Sequence, residues 1–222
     1  LKNKYWIGIT KRARIIFYNP NLVEYNEIKN ISYEDLGDEM WRKSIAIRQS
    51  NNIYNQSLVG SILEHKGEDF TKKWLAKLVK NFSRKPQGND RAQILSVAAG
   101  ESKLAIANTY YYALMLSGKK GEAQKKAAQK VKPIFPNQNG RGTHVNISGA
   151  GILKFSPNKK NAQKFMEFLI TKEAQTQLCN SSFEFPVIEN VPTNKLINNI
   201  KNFKEDVSID VSSYGKRQAQ AF

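Results

Sequence analysis

An α/β fold is predicted, on three observations. Short apolar runs of strand length alternate with segments whose apolar residues recur at helical spacing, no repeat or low-complexity stretch interrupts them, and two strand-to-helix junctions carry tyrosine. Alternation of this kind predicts largely parallel sheets.

In chain order, Tyr5-Trp6-Ile7-Gly8-Ile9 is strand-like, and residues 12–19 form a second extended run closed by Asn19-Pro20. Ser32-Tyr33-Glu34-Asp35-Leu36 has an N-cap and early acids, which predicts a short helix before a strand at residues 44–48. Leu58, Val59, Ile62 and Leu63 recur at helical spacing until Gly67, and a further helix from Glu68 is predicted to bury Phe70, Trp74, Leu75, Leu78 and Val79. Pro86-Gln87-Gly88-Asn89 is a loop, after which Asp90 is placed to cap a helix through Val97 that Gly100 ends. Lys103-Leu104-Ala105-Ile106-Ala107 is a strand, and Asn108 or Thr109 caps a helix running to Gly118.

An Ala- and Lys-rich helix follows at residues 121–131, then extended Ile134-Phe135-Pro136-Asn137 and the turn Asn139-Gly140-Arg141-Gly142. Residues 144–153 read as a strand in which Gly149, Ala150 and Gly151 call for close backbone approach. Two helices are predicted next, at residues 159–170 with Ala162, Phe165, Met166 and Leu169 inward, and at residues 172–179. Phe183-Glu184-Phe185-Pro186-Val187 is extended, and Val191-Pro192 opens a further crossing.

At 222 residues the chain is one large domain or two small lobes. It starts at Leu1 and its last residues stop inside a helical pattern, so a fragment is expected. A formal charge of +16 raises nucleic acid as a partner, but the lysines lie scattered along helical polar faces without interleaved aromatics. Cys179, the only cysteine, excludes an intrachain disulfide or a cysteine metal cage. His65 and His144 sit in no catalytic or metal-ligand pattern, and no Ser/His/Asp, HExxH or CxxC constellation occurs.

Tyrosine carries the chemistry instead. Tyr110 and Tyr111 fall in a first helical turn, where unpaired N–H groups and the positive end of the dipole favour a phenolate. Tyr54, in Ser50-Asn51-Asn52-Ile53-Tyr54-Asn55-Gln56-Ser57, occupies the same strand-to-helix position. Ligands of open α/β sheets bind outside the carboxyl ends of strands, so these phenols would share one crevice. A hard, highly charged cation takes oxygen donors and can strip a phenol of its proton. Gln87-Gly88-Asn89-Asp90-Arg91 could bond those ligands or an anion, and Arg14 adds positive charge.

Taken together, several motifs resemble the ferric-iron-binding proteins of bacterial ABC transporters, closest to the tyrosine-rich branch of cyanobacteria and other marine bacteria. They are Trp6-Ile7-Gly8 with Arg12-Ala13-Arg14, the Ser50 to Ser57 string, Pro86-Gln87-Gly88-Asn89-Asp90-Arg91-Ala92 and Asn108-Thr109-Tyr110-Tyr111. Phe135-Pro136-Asn137-Gln138 through Gly149-Ala150-Gly151, and Phe203-Lys204-Glu205-Asp206, complete the set, so the resemblance covers essentially the whole chain.

The resemblance implies a periplasmic binding protein of type II with two α/β lobes and a hinge of crossing strands. Such a protein closes on one Fe³⁺ and delivers it to an inner-membrane ABC permease; it is not an enzyme, binds no nucleic acid and is a monomer. By motif match Tyr54, Tyr110 and Tyr111 would be metal ligands, while Tyr112 falls where relatives have an apolar residue. Arg14 matches an arginine near the metal, and Asn89, Arg91 and Asn108 match positions near the ligand or a synergistic anion. Leu114 stands where some relatives have another arginine. Relatives also contribute a His and usually another Tyr, or a Glu, from an N-terminal segment, so the N-terminal lobe is expected to be incomplete here and the extreme C-terminus missing. Residues 1–15 and 142–190 would form the remainder of the N-terminal lobe, and 16–141 with 191–222 the C-terminal lobe. The alternatives are the same fold holding a small anion or a polyamine and, on charge alone, a basic nucleic-acid-associated domain.

Overall fold

The computed structural model describes residues 5–221; expectations for residues 1–4 and for Phe222 lie outside them. β1 (Trp6–Tyr18) is one strand of 13 residues, about 43 Å long at ~3.3 Å per residue, and takes in both extended runs that the sequence separates. α1 (Tyr25–Ile28) and two 3₁₀ turns (Glu34–Gly37 and Glu39–Trp41) lead to β2 (Ile45–Ala46). Next come α2 (Ile53–Lys80), α3 (Asp90–Ala98), β3 (Leu104–Asn108), α4 (Thr109–Leu116), α5 (Glu122–Lys130) and β4 (Lys132–Ile134). The chain continues through β5 (Val145–Gly151), α6 (Lys159–Leu169), α7 (Lys172–Ser182), β6 (Phe185–Pro186), α8 (Lys195–Asn198), α9 (Val211–Lys216) and α10 (Gln218–Ala221).

The α/β class stands, but the sheet is not largely parallel. The order is β2-β3-β1-β4 with β5 and β6 also on β1, and among the described strands only β2 and β3 pair in parallel. The last part of β1 pairs with β3, from Arg14 opposite Asn108 to Tyr18 opposite Leu104, and with β4. Its first part pairs with β5, from Trp6 opposite Gly151 to Ala13 opposite Val145, and with β6. Alternation of strands and helices fixes neither strand order nor direction, and here β1 inserts antiparallel beside β3.

Successive residues of β1 and β3 serve opposite faces, as the period of two requires. Ile15, Phe17, Ala105 and Ala107 meet Ile94 and Val97 of α3 and Tyr112 and Met115 of α4. Ile16, Tyr18, Leu104 and Ile106 meet Leu58, Ile62, Trp74 and Leu78 of α2. Continuous apolar runs are what a strand covered on both faces needs, and each such side chain contributes about 1.5–3 kcal/mol by leaving water.

Gly67 breaks α2 as predicted, at φ 77° and ψ 174°, a conformation that costs glycine little. Beyond it Thr71, Trp74 and Leu78 form the inward stripe, and Phe70 and Val79, expected inside, flank it and are exposed. In α6 Met166 is buried whereas Phe165, also expected inside, is exposed. Gly149 does meet a close neighbour: a Cβ there would lie 2.3 Å from the Trp6 ring. Val191-Pro192, where a further crossing was expected, form no strand, and the chain beyond them packs Ile197 and Ile200 into the core beside β3 and α4. Proline lacks a donor for a ladder. Further on, Glu205 forms an isolated bridge with Thr143, whose N–H donates to the Lys204 carbonyl at 2.8 Å.

Candidate metal centre

Two helix starts bring the phenols together. The Asn52 side chain caps α2 by accepting from the Tyr54 N–H at 3.1 Å, and β3 runs directly into α4, whose Thr109 hydroxyl accepts the Ala13 N–H at 3.3 Å. Tyr54, Tyr110 and Tyr111 are each half-buried. The hydroxyls of Tyr54 and Tyr110 lie 3.2 Å apart, and the rings of Tyr110 and Tyr111 have centroids 4.2 Å apart. Burial, and hydrogen bonding to Tyr111 and Tyr54, push the Tyr110 phenol above its ordinary value, so the protonated form is favoured. Tyr112 faces away, packed on Phe17 with its hydroxyl donating to the Val131 carbonyl at 3.4 Å.

Guanidiniums surround Tyr54. Those of Arg12, Arg14 and Arg48 stand 5.4, 5.9 and 5.8 Å from its ring centroid. Arg14 is buried and donates to Asp90 at 2.9 Å, to Asn55 Oδ1 at 2.7 Å and to Asn108 Oδ1 at 3.1 Å. Arg48 donates to Asp90 at 3.3 Å, and Arg12 pairs with Glu184 at 3.5 Å. Three cations against these two carboxylates leave positive charge in excess. Arg12 Nε, Arg14 Nε and Asn108 Nδ2 are buried donors without an acceptor among the described residues.

Of the other residues singled out in the sequence, Arg14 and Asn108 lie in this cluster as cross-strand neighbours. Asn89, not Asp90, caps α3, its side chain accepting from the N–H groups of Arg91 and Ala92 at 3.0 and 3.2 Å. The Asp90 carboxylate turns inward to the arginines. Arg91 donates to Gln124 at 3.2 Å. Sequence reasoning missed Asp90, Arg48, Asn55 and Arg12 as parts of this cluster. One signal was available: an acid directly after a capping Asn is surplus to the cap and free to pair elsewhere.

Elsewhere, His144 is buried beside the Ser57 hydroxyl at 3.0 Å, and burial with nearby Arg14 lowers its pKa to about 3. His65 bonds Asp206 at 2.7 Å. A cavity of about 710 Å³ shares Arg48 and Asn55 with the cluster but is lined by no tyrosine, being walled by Leu58, Trp74, Leu78 and Phe82. Among the described residues no group of three or more His, Cys, Asp or Glu could hold a metal ion.

The chain is 47% identical over 203 residues to iron uptake protein A1 of Synechocystis sp., an overlap of 91% of this chain and 56% of that protein. To iron uptake protein A2 of the same organism it is 41% identical over 215 residues, 96% of this chain and 61% of that protein. It thus spans less than two thirds of the length of these curated relatives. The solved Trichodesmium protein (IdiA, FutA) in complex with iron and citrate ligands superposes with a TM-score of 0.92 at 46% identity, covering 97% of this chain and 67% of that one. A family model for bacterial extracellular solute-binding proteins matches residues 1–205, and the chain belongs to that family.

Proposed function

We propose that this protein captures ferric iron in the periplasm through the phenolates of Tyr54, Tyr110 and Tyr111 and delivers it to an inner-membrane ABC permease, acting as a transport carrier rather than an enzyme. The observation that carries the reading is the 3.2 Å approach of the Tyr54 and Tyr110 hydroxyls, from segments 56 positions apart, with the Tyr111 ring tilted against Tyr110. Three phenolates neutralise a trivalent ion, and all-oxygen donors favour the hardest common metal. Iron in the names of similar proteins supports the same cargo.

An anion would complete the site. The excess of guanidinium charge and the buried donors without acceptors suit a carboxylate, and citrate accompanies iron in the Trichodesmium protein. Arg14 and Asn108 would act at the metal side of that anion, and Asn89 and Arg91 from the head of α3. The same guanidiniums disfavour a polyamine, which is itself a cation.

The reading divides the chain into lobes, with residues 1–15 and 142–190 on one side and 16–141 with 191–222 on the other. The pairing of the two parts of β1 with different partners supports that division. Closure would bring the second lobe's donors over the three phenols, and bound iron favours it only through contacts made in the closed state.

Ferric citrate added to the intact protein is expected to give a visible phenolate-to-iron charge-transfer band. Tyr54→Phe and Tyr111→Phe should weaken binding and dim the band while leaving the melting curve in place. A colourless stoichiometric complex would refute the reading.

A further inference from the structure

Asp90 has no exposed surface, a costly position for a carboxylate unless every lone pair is engaged. Its partners come from three separate segments. Arg14 on β1 donates at 2.9 Å, Arg48 in the loop before α2 at 3.3 Å, and the backbone N–H of Asn108, the last residue of β3, at 2.7 Å. Each partner leads to a tyrosine. Arg14 and Arg48 flank the Tyr54 ring, and Asn108 is followed by Thr109 and then by Tyr110 and Tyr111. Asn55 strengthens the first link, for it accepts from Arg14 and donates to the carbonyls of Arg48 and Gln49 at 2.8 and 3.1 Å. Capping does not account for the acid, because Asn89 already fills that role.

We propose that Asp90 is a positioning residue for the tyrosine site: one carboxylate locks the Tyr54 loop against the head of α4 through Arg14, Arg48 and Asn108. The inference rests on the reading of Tyr54, Tyr110 and Tyr111 as iron donors, and adds the element that sets their spacing. Asp90→Asn and Asp90→Glu together separate position from charge. The amide keeps the shape but presents N–H donors where guanidinium or backbone N–H also donates, so at least one link breaks. Local positive charge meanwhile rises by one, which favours phenolate but also repels a trivalent cation, so the electrostatic contributions oppose one another. Asp90→Glu restores the charge without the position: full recovery would point to charge alone, partial recovery to position.

The test uses the full chain with ferric citrate, reading the charge-transfer band, the affinity by citrate competition and thermal melting together. Asp90→Asn is expected to melt cooperatively, to bind iron on the order of 10–100-fold more weakly and to show a displaced band, and Asp90→Glu to regain part of the band. An Asp90→Asn protein with an unmoved band and wild-type or tighter affinity overturns the proposal, whatever its melting temperature. Should Asp90→Asn fail to fold, Arg48→Gln leaves Arg14 and Asn108 on the carboxylate; a smaller displacement of the same band is then expected, and an unmoved band overturns the proposal. A colourless wild type overturns the iron reading and this inference with it, whereas a coloured wild type with unmoved variants overturns this inference alone.

Discussion

The two ends of β1 live in different surroundings. From Ala13 to Tyr18 every residue is buried, and the neighbouring β3 is buried at all five positions. Toward Trp6 the strand is partly exposed, its partner β5 has one buried residue, and nearby Leu153, Phe155, Phe165 and Phe168 face solvent. All three phenols hang from the first environment. Rigid support of this kind keeps donor atoms within the small tolerances that a binding constellation needs.

Mutations can sharpen that contrast. Ile106→Ala, in a position with no exposure, is expected to cost about 2–5 kcal/mol, measured by urea unfolding, because the cavity opens between the sheet and α2, which can only partly collapse onto it. A fall under 1 kcal/mol would mean the sheet is looser than its burial implies. His144, where the two environments join, titrates in the unfolded chain near its ordinary value but in the folded protein only near pH 3. Its depressed value means that the unfolded chain binds the extra proton first as pH falls. Stability should therefore be full above pH 6.5 and decline toward pH 3, by about 2 kcal/mol between pH 6.5 and 5, and His144→Gln should flatten that slope. The smallest effect belongs to the exposed end: Phe165→Ser, at 60% exposure, should change stability by no more than about 0.5 kcal/mol. A larger loss would show that α6 is covered in solution.

Much of the supporting framework was legible in the sequence. The apolar run before Asn108 and the tyrosines after it announced β3 and α4 closely, because strand length and helix-start chemistry are local. Local chemistry also gave the break at Gly67 and the close approach at Gly149. What stayed hidden depends on partners far along the chain. Periodicity says which residues share a face, not which strand lies beside which, so the antiparallel placement of β1 was out of reach. For the same reason Phe70 and Phe165 were assigned inward by spacing although both are exposed among the described residues. The cluster around Tyr54 divides likewise: the tyrosines and Arg14 stood out by type and position, whereas Asp90, Arg48 and Arg12 acquire meaning only when β1, α3 and the loop before α2 are superimposed.

Keeping every phenol on one core has a consequence for how such a site can diversify. Substitutions on the facing wall, among Arg12, Ser148 and Glu184, reach the phenols without passing through the packing of β3 or α4. On the proposed reading, the companion anion and any donor that approaches from that side could then be altered without disturbing the tyrosine set or the packing that holds it.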